Sequence, residues 1–260
     1  MKLFLVIPAL LATLTIYAYA NPKSLRTYKS SKICLLRPIK IGVVDTGFGF
    51  EGKGRGAPLC QYGHKDFSVD QKYSLAYNTK TPVPVDLDGH GTNIAGLIAN
   101  YADEGKTKYC LVIIKYFSHK QSGYENSRSS AQAFRYANNL KLEVVNYSGG
   151  GPSIDFDERD SVEAYLDRGG KLIAAAGNES IYLDGLDNGF YPAMYDSRIT
   201  IVGNKDIYGA KAPSSNYGPY VTTWENGNKR TAYGITMTGT SQATAVTTGK
   251  YVASLNSCDR

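Results

Sequence analysis

"IKIGVVDTG", residues 39–47, runs through β-branched apolar residues and stops at an acid followed by threonine and glycine. A short run of this kind, bounded by polar and glycine positions, reads as a buried strand with Asp45 at its carboxyl end. The pattern repeats outward from it. "GHGTNIAGLIANYA" (89–102) opens with glycines and continues at helical spacing, with Ile94, Leu97, Ile98 and Tyr101 on one face. "YCLVIIKYF" (109–117) is another buried strand, "SRSSAQAFRYANNL" (127–140) a helix with serine available as its cap, and "LEVVNYSGGG" (142–151) a strand running into glycines. "DFDERDSVEAYLDRGG" (155–170) has acids in its first turns and glycine at its end, as a helix does. "KLIAAAGN" (171–178) and "SRITIVGN" (197–204) complete the strands. Strands alternating with helices indicate an α/β domain with a mainly parallel central sheet flanked by helices. In such sheets ligands gather at the carboxyl ends of the strands, where Asp45, Asn146 and Asn178 stand.

Composition limits the function classes. The first twenty residues combine Lys2, the apolar "LFLVIPALLATLTI" and the small-residue pattern "AYA", which reads as an export signal. As a membrane anchor the run is short, and no later segment is apolar enough to span a bilayer. The expected organisation is a signal peptide at 1–20, a leader at 21–37 and one domain at 38–260, in a secreted or periplasmic protein. The formal net charge is +6, or +5 without the first twenty residues, and the charges are scattered, which argues against nucleic-acid binding. Cys34, Cys60, Cys110 and Cys258 form no CxxC pair or Cys/His cluster, so they read as disulfides with three possible connectivities rather than a zinc site. No metal or cofactor is expected.

"GTSQATAV" (239–246) holds one serine, Ser241, and by itself carries no chemistry. Of the three histidines, His64, His90 and His119, only His90 lies at a glycine-rich helix entry, in "DLDGHGTNIAG". A serine becomes a nucleophile when a base stands within hydrogen-bond reach and an acid holds that base in the right tautomer. Asp45, His90 and Ser241, in that chain order, supply the three types. His64, His119, Asp86 and Asp88 read as solvated loop residues.

With these residues in hand, the chain resembles the subtilisin-like serine peptidases. The matching blocks are "VVDTG", "GHGTNIAG", "VVNYSGGGP" (144–152), "AAAGNES" (174–180) and "GTSQATA", in order across residues 38–255. The resemblance implies a three-layer subtilisin-like fold and hydrolysis of peptide bonds through an acyl-enzyme. Ser241 would be the nucleophile, His90 the base, Asp45 its partner and Asn178 the side-chain donor to the oxyanion. It further implies a groove for extended peptide between strand edges at Ser122, Gly123 and Tyr124 and at Ser148, Gly149, Gly150 and Gly151. The pocket for the scissile residue would be completed by Ala176, Gly177, Glu179 and a floor at Phe190, favouring small or medium side chains. In the family's sheet the strands bearing Cys60 and Cys110 are neighbours, which pairs these two and leaves Cys34 with Cys258.

The chain departs from the family at Gln242, where methionine is common, at Ala245, where proline is usual, and at Asn93, where a second histidine is common. About twenty residues separate Ala20 from the first strand, and the segment after "GLIAN" is short. The expectation is therefore a minimal monomeric member without a large pro-segment or calcium loop, with a separate inhibitor or folding partner as a candidate partner alongside the peptide substrate. A non-catalytic peptide-binding relative and a transpeptidase using the same triad are the alternative readings.

Overall fold

The computed structural model describes residues 37–255 apart from 71–73, 76–78 and 186. The signal peptide, nearly all of the leader and the Cys34–Cys258 pairing lie outside the described residues.

Strand β1 (Ile39–Asp45) is followed by the short strands β2 (Lys65–Asp66), β3 (Ser74–Leu75) and β4 (Val83–Pro84). Helix α1 (His90–Ala102), β5 (Tyr109–Lys115), α2 (Gly123–Asn139), β6 (Val144–Tyr147), α3 (Phe156–Asp167) and β7 (Lys171–Ala175) come next. The chain continues through β8 (Thr200–Lys205), β9 (Thr223–Asn226), the hairpin β10 (Arg230–Ala232) and β11 (Ile235–Met237), and α4 (Thr240–Ser254). Seven strands form one sheet in the order β2-β5-β1-β6-β7-β8-β9, every pairing parallel. This is the parallel α/β sheet expected from the alternating pattern, in the three layers that the family resemblance implies.

Strand β1 lies in the middle, with β5 on one side and β6 on the other, so the winding direction reverses at its carboxyl end. Crevices form at such reversals because the connecting helices depart to opposite faces. The register puts Asp45 beside Lys115 and Val44 beside Tyr147.

Because side chains alternate along a strand, each apolar strand feeds two cores. Val44, Val112, Ile114, Val145 and Leu172 face α2 and α3, meeting Phe134, Ala137, Val162 and Tyr165. Ile41, Val43, Ile113, Val144 and Ile173 face α1 and α4, meeting Ile94, Ile98, Ala243 and Val252. Each such aliphatic side chain withdrawn from water stabilises the fold by about 1.5–3 kcal/mol. Helices α1 and α4 cross closely, since a Cβ added at Gly249 would lie 2.7 Å from the carbonyl oxygen of Ile98. That close packing connects the helix beginning at His90 with the one that begins one residue before Ser241.

Candidate active site

The site is built where β1 ends. Asp45 is 3% exposed, and its Oδ1 accepts from the backbone N–H of Thr46 at 2.8 Å and from His90 Nδ1 at 2.7 Å. A carboxylate only accepts, so the proton of neutral His90 is on Nδ1 and Nε2 keeps its lone pair. Burial of the imidazole disfavours its charge, but the charge and hydrogen bond of Asp45, with Asp88 and Asp86 behind them, outweigh this and hold His90 above the ordinary histidine value. The approach needs glycine, since a Cβ at Gly91 would lie 2.3 Å from the carbonyl oxygen of Gly47.

The first turn of α1 is held by three separate acceptors. The N–H of His90 donates to Asp88 Oδ1 at 3.1 Å, that of Gly91 to Thr46 Oγ1 at 2.8 Å, and that of Thr92 to Asp86 Oδ2 at 2.8 Å. Asp86 also accepts from the hydroxyls of Thr46 and Thr92 and the N–H groups of Asp88 and Gly89. It is 2% exposed, so the expectation of a solvated loop residue is corrected. An acid three residues before a helix-opening glycine was the signal available for it.

Ser241 is the second residue of α4 and is buried. Its hydroxyl donates to the carbonyl of Ser148 at 2.7 Å, and the Ser148 hydroxyl donates to the carbonyl of Ser241 at 3.0 Å. The Ser241 hydroxyl is thus joined to Ser148 and not to His90. Behind this pair, Asn146 Nδ2 donates to Ser148 Oγ at 2.9 Å while its Oδ1 accepts from Thr248 at 2.8 Å, tying β6 to α4. Asn146 is fully buried and serves as a brace under the site. Two of the three family departures also meet, with Gln242 Nε2 donating to Asn93 Oδ1 at 3.2 Å.

Asn178 follows Gly177 after β7 and is exposed. Its Oδ1 accepts from the N–H of Thr240 at 2.9 Å and from the Thr240 hydroxyl at 3.2 Å, which orients the amide so that Nδ2 donates to nothing among the described residues. The N–H of Ser241 likewise finds no acceptor among them. A fixed side-chain amide and a helix N-terminal N–H, both unspent and adjoining one serine, are suited to receive developing negative charge.

A cavity of about 640 Å³ adjoins the pair Asp45 and His90. Gly123, Tyr124, Ser148, Gly149, Gly150 and Gly151 all border it. Two expectations for the groove need correction. Residues 122–124 are not a strand edge: Ser122 caps α2, its hydroxyl accepting from the N–H of Glu125 at 3.2 Å while its own N–H donates to Glu125 Oε2 at 2.8 Å. That reciprocal cap uses the backbone N–H of Ser122, and it starts α2 four residues earlier than its apolar spacing suggests. Gly151 is also spent, exchanging two backbone hydrogen bonds with Tyr191 at 2.8 and 2.9 Å. No backbone hydrogen bond among the described residues occupies Gly149 or Gly150.

Phe190 lies between the two glycine segments, since a Cβ at Gly150 would come within 2.4 Å of its ring and one at Gly177 within 2.7 Å. The carbonyl of buried Ala176 and the carboxylate of Glu179 both accept from Asn216 Nδ2, at 2.9 and 2.6 Å. Neither Ala176, Gly177, Glu179 nor Phe190 borders the large cavity.

The remaining histidines divide. His119 is exposed and pairs with Asp88 at 2.6 Å. His64 is 5% exposed, accepting from the N–H of Ile113 at 3.0 Å and donating to the carbonyl of Cys60 at 2.8 Å. It fastens the Cys60 segment to β5, which corrects its reading as a loop residue. Burial lowers its pKa. Cys60 and Cys110 are disulfide-bonded beside it, with Cα atoms 4.9 Å apart.

A model of the Subtilase family matches residues 37–257. Thermophilic serine proteinase of Bacillus sp. (strain AK1) is 29% identical over 70% of this chain and 42% of its own. Subtilisin Savinase of Lederbergia lenta is 28% identical over 69% of this chain and 60% of its own. The chain thus spans about half the length of these relatives. In three dimensions it is similar to a lanthipeptide protease, with TM-score 0.68 and 18% identity over 83% of this chain and 73% of that one. The nisin leader peptidase from Lactococcus lactis gives TM-score 0.63 and 19% identity over 86% and 80%.

Proposed function

The chain belongs to the subtilase family of serine proteases, and from that premise we propose that it is an exported endopeptidase cleaving extended peptides through Asp45, His90 and Ser241. The observation that carries this reading is the hydrogen bond of 2.7 Å from His90 Nδ1 to Asp45 Oδ1, on the cavity that Ser148 also borders. For the reaction the Ser241 hydroxyl must exchange the Ser148 carbonyl for His90 Nε2 as its acceptor. The serine oxygen then attacks the scissile carbonyl while His90 takes its proton and passes it to the departing amine. Asn178 Nδ2 and the N–H of Ser241 stabilise the oxyanion, and water repeats the sequence to release the acid. The free backbone of Gly149 and Gly150 supports main-chain pairing with substrate. Phe190, wedged between Gly150 and Gly177, supports a preference for small or medium side chains at the scissile position.

Export is supported by the apolar first twenty residues together with the Cys60–Cys110 disulfide, since such bonds persist in oxidising compartments. The test is to treat the protein with a fluorophosphonate probe and map the modified residue. Modification of Ser241, blocked by prior denaturation, is the expected result. An active protein modified elsewhere, or not at all, overturns the assignment. A peptide library in which Phe or Tyr is strongly preferred at the scissile position would overturn the pocket reading alone.

A further inference from the structure

We propose that the cavity beside His90 is a recognition chamber for a cationic side chain of the substrate, arginine or lysine, and that Glu158 is the residue that reads it. The inference rests on the peptidase reading and names the substrate class of that same site.

The chamber, about 640 Å³, is larger than a single side chain needs and is bordered by the aromatic rings of Tyr116, Tyr124, Tyr147 and Tyr191. Among its charged lining residues are Asp88, Asp155 and Glu158, with no lysine or arginine. Aromatic faces and a carboxylate together favour a guanidinium or ammonium group, the first by cation–π attraction and the second by a charged hydrogen bond. Glu158, in the first turn of α3, is 3% exposed yet borders this chamber. Its Oε2 accepts from the Tyr195 hydroxyl at 2.9 Å. The single proton of that hydroxyl is shared with the carbonyl of Asp155 at 3.1 Å, and its oxygen accepts from the N–H of Asp155 at 3.0 Å.

Of the basic residues nearby, Arg128 stands over the Tyr124 ring, 5.8 Å from its centre, and two others pair with acids outside the chamber. Arg135 pairs with Asp157 at 2.7 Å, and Arg159 with Asp160 at 3.2 Å. Among the described residues Glu158 forms no ion pair, and a buried carboxylate without a cation is costly. Burial accordingly pushes its carboxyl up to about 7, with the Tyr195 hydroxyl among the groups that oppose this. A substrate cation entering the chamber would supply the missing partner. The titratable groups facing Glu158 are Asp155 on the turn before α3, Tyr147 at the end of β6, Tyr116 after β5, and Tyr195. Burial pushes all three tyrosines upward, so they remain neutral across the working range.

The experiment uses the full chain and peptides carrying arginine, lysine, citrulline or glutamine at each position in turn. One position is expected at which arginine or lysine raises kcat/KM about ten- to hundredfold over its neutral counterpart, the range of a hydrogen bond to a charged group. In Glu158→Gln that ratio should collapse toward one while Ser241 is still modified by the fluorophosphonate. If the variant does not fold, the wild-type ratio at pH 6 and pH 8 decides, rising with pH as Glu158 ionises. Titration of His90 affects both peptides alike and cancels in the ratio. Cleavage without a cationic preference, or a preference that survives in Glu158→Gln or is flat with pH, overturns this inference alone. A protein that neither cuts any peptide nor is modified at Ser241 overturns the peptidase reading first.

Discussion

The two helices on one face of the sheet begin differently from the two on the other. Helices α2 and α3 are started by their own neighbours, Ser122 with Glu125 in a reciprocal cap and Asp155 accepting from the N–H of Glu158 at 3.0 Å. They are amphipathic, with seven of 17 and five of 12 residues buried. Helices α1 and α4 begin at Gly89 and Gly239, neither of which offers a capping side chain, and each buries ten residues, of 13 and 15. Their first turns are tied instead by Asp86 and Asp88, which closely precede α1, and by Thr46 and Asn178, which come from distant segments. The first pair would know where to start without the rest of the chain. The second pair, α1 in part and α4 more fully, is located by tertiary contacts, and it is the pair that carries His90 and Ser241. A helix start fixed from outside places its first side chains relative to another strand end, which is the positional accuracy catalysis requires.

The sharpest way to break the contrast is Ser241→Ala. Removing the hydroxyl should lower kcat by about six orders of magnitude, with thermal unfolding nearly unchanged, because a triad member lost disables the whole unit. Residual turnover near the wild-type rate would detach α4 from the chemistry. Asn178→Ala comes next. It should lower kcat roughly 10²–10³-fold with little change in KM, as loss of an oxyanion donor does. It should also cost about 1 kcal/mol of stability as a lost cap. A defect confined to KM would leave Asn178 as a cap alone.

The third comparison sets one cap against another. Asp86→Ala leaves three backbone N–H groups without their acceptor at the start of α1, so a loss of about 3 kcal/mol is expected in denaturant unfolding, together with a lower kcat. Ser122→Ala on α2 should cost about 1 kcal/mol and leave the acylation rate in place. Equal effects on acylation would erase the distinction between the two faces.

The smallest effect is a displacement along the pH axis. His90 must be neutral to accept the serine proton, and Asp45 favours its charged form, so its neutral fraction is reached only at higher pH. The acid limb of kcat/KM should therefore have its midpoint above the ordinary histidine value of about 6.5. A midpoint at or below that value would mean that the hydrogen bond to Asp45 does not govern His90.

The sequence by itself determined the layer architecture and the chemical identities. Periodicity in "IKIGVVD", "YCLVIIK" and "KLIAA" is local information, because an apolar strand and a 3.6-residue helix are written in consecutive residues. The order of Asp45, His90 and Ser241, read with their glycine-rich settings, singled out the residues proposed as the triad. What the sequence did not carry was any relation between distant acceptors and donors. Asp86 and His64 looked like loop residues because a buried hydrogen-bond network has no sequence period. Residues 122–124 looked like a strand edge because the cap between Ser122 and Glu125 competes with that reading only once α2 is in place. Glu158 passed as an ordinary first-turn acid until β6, the Tyr195 segment and the chamber closed around it. Local propensity chooses the elements. Which polar groups meet, and which are left facing a cavity, is decided only when the layers pack and water is removed from between them.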